Sequence, residues 1–154
     1  MCMLCDDEKA YQAYMNYLDA MERQGKAADP NVAVNAVLAG CTPADFPVVA
    51  AAVEAMCDPA VLIHGATAST GGCAILLVVN GPIRHQLGMS SAHSALAGAD
   101  RASVCIGRAV RLVLRNLLEA RPGELDRSTL GHPGKLSWCV AEDEEGGRPW
   151  TALA

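Results

Sequence analysis

The stretch "CAILLVVNGPI", residues 73–83, decides the fold. Its apolar run "AILLVV" (74–79) is bounded by Gly71-Gly72 on one side and Asn80-Gly81-Pro82 on the other. A short aliphatic run between such breakers predicts a buried strand that ends in a turn. "AVLIH" (60–64), placed after Pro59, is read the same way. A third run, "KLSWCV" (135–140), alternates, with Leu136, Trp138 and Val140 on one face and Ser137 and Cys139 on the other.

Helical signals lie around these runs. Asp29-Pro30 is an N-cap followed by proline at the first helical position, and it predicts a helix to about Gly40. Thr42-Pro43-Ala44-Asp45 repeats the signal, with Asp45 placed like the acid of a capping box. That helix carries Phe46, Val49, Ala52, Val53 and Met56, and it ends before Pro59. "IRHQLG" (83–88) reads as one helical turn and "MSSAHSALAGAD" (89–100) as a loop. Asp100 caps the longest helix, about 101 to 119, whose buried stripe is Ile106, Gly107, Val110, Val113, Leu114 and Leu117. Helices and strands mixed in this order predict an α/β (or α+β) fold, a small mixed layer structure.

The chain divides at "GKAADP" (25–30). Residues 1–28 form a Cys-x-x-Cys tail and an amphipathic helix whose apolar face is Tyr11, Tyr14, Met15, Leu18 and Met21. This helical appendage has nothing of its own to pack on, so it lies on the main body or on another subunit, and a homo-oligomer is predicted. Residues 29–154 make a single α/β domain, in keeping with a chain of 154 residues.

Composition limits the function. The net charge is −5 with no basic block, which excludes nucleic acid as the expected partner. The longest apolar run is too short to span a bilayer, so no membrane association is expected. Met1 leads into Cys2, Cys5 and acids without a basic n-region, which predicts no secretory signal and a cytoplasmic setting. The seven cysteines are then fillers, metal ligands or reactive thiols rather than a disulfide frame.

Several residues are candidates for chemistry. Arg101, Arg108, Arg111 and Arg115 fall on one helical stripe. Their expected partners, within a chain or across subunits, are Glu142, Asp143, Glu144 and Glu145, and Arg101, beside the helix start, is the one placed to meet a ligand. Glu142, nearest the end of a strand, is a candidate general acid or base. Cys139 and Cys73 are the candidate nucleophiles, the former near His132 and Lys135, the latter in a flexible loop entering a strand. Thr70, in the loop "GATASTGG" (65–72), and Asn80, just past a strand, are candidate substrate-binding groups, with Arg101 and Lys135. Cys2 and Cys5 supply two ligands, half of a zinc site, and no second such pair follows.

Several segments together resemble the C-terminal region of the UGSC-type (seleno)protein family. They are "AVNAVLAGCTPADFPVVAAAVEAM", "VVNGPI", "RASVCIGRAVRLVLRN", "GHPGKLSWCVAEDEE" and a late "PW", and the likeness covers about residues 32–150. The chain lacks the U/C-G-S-C motif that names the family. The resemblance implies that Asn80, Arg101, His132, Lys135, Cys139 and Glu142 lie in motif segments.

The resulting expectation is a small-molecule enzyme, a lyase, hydrolase or thiol-dependent reductase, acting on an anionic or carbonyl-bearing substrate by acid/base or thiol chemistry. The alternatives are a thiol-rich protein that binds a transition metal such as zinc, or a redox partner, through Cys2 and Cys5, and a non-catalytic subunit of a larger enzyme.

Overall fold

The computed structural model describes residues 29–146, with isolated positions at 12, 15, 16, 19, 22, 23, 151 and 153. Helix α1 is Pro30–Ala39, α2 Phe46–Met56, α3 Ile63–Thr67, α4 Ile83–Gln86 and α5 Arg101–Asn116, and the strands are β1 Leu77–Val79 and β2 Cys139–Ala141. The architecture is a mixed α/β fold. The two strands pair in parallel, Leu77 with Cys139 and Val79 with Ala141, so both leave the sheet at the same end. Parallel strands need a long crossover, and here α4 and α5 supply it.

The helix starts follow from short-range chemistry. Asp29 Oδ1 accepts from the N–H of Asn31 at 2.8 Å, and Asp100 accepts from the N–H and hydroxyl of Ser103 at 2.7 and 2.8 Å. Each satisfies donors that a helix N-terminus leaves unpaired. Asp45 reaches back to the N–H and hydroxyl of Thr42 at 2.6 and 2.9 Å, but these bonds close the turn 43–45 ahead of α2, which starts at Phe46 without a side-chain cap, later than the capping-box reading placed it.

The core forms where α5 crosses α1 and backs onto the sheet. Ala33, Ala36 and Ala109 are fully buried, and such small side chains let α1 and α5 approach closely. Phe46, Val49 and Ile106 fill the space beside them, each worth about 1.5–3 kcal/mol of burial. Asn35, also buried, is satisfied on both sides: its amide donates to Asn31 O at 2.8 Å and its oxygen accepts from Asn116 at 2.6 Å. Gly107 sets how closely α5 meets the entry to β2. A Cβ there would lie 2.8 Å from Trp138 N.

Several readings of the sequence need correction. Residues 60–64 are not a strand: Pro59–Val61 is a 3₁₀ turn capped by Asp58, which accepts from Ala60 N at 2.8 Å, and α3 follows. Leu62 joins them in the left-handed region at φ 49°, a geometry no strand contains. Residues 74–76 lie outside β1, and 135–138 lie outside β2, where Pro133–Lys135 makes another 3₁₀ turn. In the last run the Cys139 face is the buried one. Cys139 and Ala141 are buried against α5, while Leu136 is 68 % exposed. Finally, α5 ends at Asn116, short of residue 119.

Of the appendage, the six described positions from 12 to 23 are helical, and Gln12 bonds Asn16 across one turn at 2.9 Å. Its apolar face, apart from the half-buried Met15, lies outside the described residues, as do Cys2 and Cys5.

Candidate functional site

The richest constellation lies where residues 122–135 fold over the C-terminal half of α5. Gly123, at φ 85°, turns the chain so that its N–H meets Asp126 O at 2.9 Å. Residues 126–129 then run beside the loop that precedes β1. Arg127 N donates to Ser69 O at 3.1 Å, and the Ser128 hydroxyl lies 2.7 Å from Gly71 O. These bonds place Asp126 inward, 5 % exposed.

Around Asp126 the charges converge. Lys135 Nζ is 2.7 Å from Oδ1, Arg111 Nη2 is 3.3 Å from Oδ2, and the Ser128 hydroxyl is 2.6 Å from Oδ1. Lys135 also donates to the Ser128 hydroxyl. Burial pushes the Asp126 carboxyl up, but the Lys135 ammonium and the Ser128 hydroxyl and N–H outweigh it and hold it well below the usual carboxylate range. Two cations thus meet one carboxylate, and the wall carries one excess positive charge.

His132 stands at the edge of this cluster. It precedes the 3₁₀ turn, and its Nδ1 accepts from Gly134 N at 3.0 Å. A backbone N–H can only donate, so the neutral ring must carry its proton on Nε2. The ring stacks on Trp138, with centroids 4.8 Å apart and planes at 29°. Gly134 makes room for this stack, since a Cβ there would come within 2.6 Å of the indole.

Two hollows share this wall. One is a cleft of about 20 Å³, bordered by Thr67, Cys73, Gly107, Arg111, Asp126 and Lys135. It has room for about one water and no more. The other is an open groove of about 510 Å³, bordered by Arg111, Asp126, Ser128, His132, Lys135 and Leu136, which suits a small molecule.

Of the residues singled out in the sequence, Lys135 borders both hollows, with Cys73 in the cleft and His132 in the groove. Thr70 is exposed on the adjoining loop, where its carbonyl accepts from Thr129 N at 3.4 Å. Arg101 lies at the opposite end of α5, in a two-pronged pair with the fully buried Asp45 (2.7 and 3.1 Å). Asn80 and Glu142 sit together at the far end of the strands, and neither borders the cleft or the groove. Glu142 Oε1 accepts from Leu153 N at 2.7 Å, while its Oε2 is buried without a partner among the described residues. Cys139 is in the core, where burial pushes its thiol up to about 12, away from the thiolate that a nucleophile uses. Among the described residues, no three His, Cys, Asp or Glu side chains group as a metal would require.

Within one chain, among the described residues, the arginine stripe does not meet the acidic run. Arg101 turns to Asp45 and Arg111 to Asp126. Glu144 and Glu145 instead hold Arg84, whose side chain is 3 % exposed, at 3.0 and 2.5 Å, and Glu145 also meets His85 at 3.2 Å. Arg84 and His85 pull the Glu145 carboxyl down to about 2.

Asp126 and Ser128 escape a reading by motif. The one available signal is local: "DRS" ends a turn, and Asp and Ser two apart can bond one another, as they do here.

Comparison with family models, with curated proteins and with solved structures finds no match. The likeness to UGSC-type proteins therefore rests on the motif segments quoted above.

Proposed function

We propose that the chain is a small-molecule enzyme whose anionic or carbonyl-bearing substrate sits in the groove walled by Arg111, Lys135 and His132. One observation carries this reading: two cations converge on a single buried carboxylate and leave net positive charge on the wall of a groove of about 510 Å³. In this reading Lys135 and Arg111 attract and orient the anion, and Asp126 holds both in place. His132 Nε2–H donates to a substrate oxygen, and proton exchange runs through Nε2 alone because Nδ1 is occupied. The Cys73 thiol, in the adjoining cleft, is the candidate for thiol chemistry.

The test is a melting-temperature screen against small carboxylates, keto acids and phosphate esters. A ligand at 100 times its dissociation constant stabilises the folded state by about 2.7 kcal/mol. The expected result is that at least one anion raises the melting temperature of the wild type and fails to do so for Lys135→Met. A panel that leaves the wild type unmoved, or an increase that Lys135→Met retains in full, overturns the reading.

A further inference from the structure

The free edge of β1 has no neighbour among the described residues. Leu77 N donates to Trp138 O at 3.0 Å, and Val79 O accepts from Glu142 N at 2.9 Å, so residues 77 and 79 turn their main chain toward β2. In a parallel ladder the alternate residue turns its N–H and C=O the other way. Val78 therefore presents both groups to the open edge. Its side chain is 40 % exposed and that of Leu76 is 44 % exposed.

Soluble proteins blunt such an edge with lysine, proline or a bulge. The run 74–79 has none of these: every residue is apolar. A groove of about 520 Å³ runs between this edge and α2, bordered by Pro47, Val48, Ala51 and Ala55 and by residues 76–80. Pro47, Ala51 and Ala55 are four apart, so they form one stripe of small side chains on α2. No residue bordering the groove is charged, although the chain carries a net −5.

We propose that this edge is the interface with a second copy of the same chain. Two copies of β1 pair antiparallel about a two-fold axis, with each Val78 exchanging both main-chain hydrogen bonds with its counterpart. The result is one continuous four-stranded sheet. Three features single out a second copy as the occupant. An antiparallel edge is complementary to itself, so one patch serves both sides. The uncharged surround brings two acidic chains together without like charges at the contact, and it offers nothing to hold an oppositely charged partner. A sheet of two strands is marginal alone, and doubling it gives the strand number that stable sheets need.

The experiment is light scattering on the full chain, with Val78→Pro and the double variant Leu76→Lys/Val78→Lys. The Val78 N–H plays no part in the pairing of β1 with β2, so Val78→Pro removes the intermolecular bond and keeps the fold. The lysine pair tests the same edge by charge, and circular dichroism checks that each variant is folded. The wild type is expected at twice the monomer mass, and the folded variants at the monomer mass at equal loading. Hydrogen exchange of the Val78 amide is expected to be slow in the wild type and fast in the lysine variant. A monomeric wild type overturns the proposal, including one that takes up an extended peptide of another protein at this edge. A dimer that survives in both variants overturns it equally.

Discussion

Lys135 Nζ lies 2.7 Å from Asp126 Oδ1, and this contact ties the turn after His132 to the segment that closes over α5. Both side chains are nearly buried, 13 % and 5 % exposed, so each is a compensating charge for the other. Asp126→Asn removes the carboxylate and leaves Lys135 and Arg111 facing each other. Breaking a buried pair from one side costs about 3–5 kcal/mol. Urea melts are expected to show a loss of that size, and a loss below about 0.5 kcal/mol, typical of surface changes, would mark the cluster as solvated.

The same group shapes the acid response. The folded Asp126 carboxyl titrates well below its unfolded value of about 3.9. A depressed carboxyl contributes stability that is fully present above the unfolded pKa and is lost as pH falls toward the folded one. Stability is therefore expected to decline below about pH 4–5. Asp126→Asn should flatten that decline, with Asp45, Glu144 and Glu145 supplying the remainder. Melting curves recorded between neutral and strongly acidic pH settle it, and parallel profiles for the two proteins would refute the assignment.

Arg101 and Asp45 make an unequal pair. Asp45 is fully buried, whereas the Arg101 side chain is 49 % exposed. Arg101→Ala strands a buried carboxylate on its two Thr42 donors, at about 2–3 kcal/mol. Asp45→Asn leaves an arginine that can turn to water and keeps an acceptor for Thr42, at about 1–2 kcal/mol. The order is the prediction: if denaturant midpoints show Asp45→Asn to be the costlier change, the partition of burial argued here is wrong.

What could be read from the sequence was what is settled within a few residues. The caps at Asp29 and Asp100 bond groups two or three positions away, and both form; Asp45 instead bonds back to Thr42, in the turn ahead of α2. The stripe of α5 repeats every three to four residues and is buried from Ile106 to Leu114, whereas Leu117, past the end of the helix, is 40 % exposed. The partner of Arg84 is 60 residues distant, and neither periodicity nor spacing reports such a pairing. The buried face of the last run was not legible for a different reason. Alternation divides a strand into two sets but does not say which set meets the core, and here α5 makes that choice. At 60–64 the apolar run suited a strand, yet the cap at Asp58 and the left-handed Leu62 favoured two short helical turns.

The thiols separate by environment. Cys73 and Cys57 are exposed, whereas burial pushes both Cys139 and Cys41 up to about 12. At pH 8 a thiol of that kind is ionised to about one part in ten thousand, and the thiolate is the reactive form. Brief alkylation of the native protein followed by mass spectrometry should modify Cys73 and Cys57 and spare Cys139 and Cys41 until denaturant is added. Rapid labelling of Cys139 in the native state would contradict its place in the core.

The last prediction separates two residues proposed for proton transfer. His132 borders the groove and has Nε2 as its single exchangeable position; Glu142 lies at the far end of the strands and borders neither hollow. Geometry comes before pKa in choosing a general acid or base, because the group must reach the proton it moves. With a substrate from the anion screen, His132→Gln is expected to lower kcat about 100- to 10,000-fold, the usual contribution of such a group. Glutamine is chosen because it keeps hydrogen-bonding capacity while losing the ability to exchange a proton near neutral pH. Glu142→Gln should leave kcat within about twofold and show its effect, if any, in stability, through the buried Oε2. The pH profile supplies the independent check. The pH dependence of wild-type turnover should be lost in His132→Gln and kept in Glu142→Gln. A collapse of turnover in Glu142→Gln with His132→Gln intact would move the chemistry to the strand ends, beside Asn80, and out of the groove.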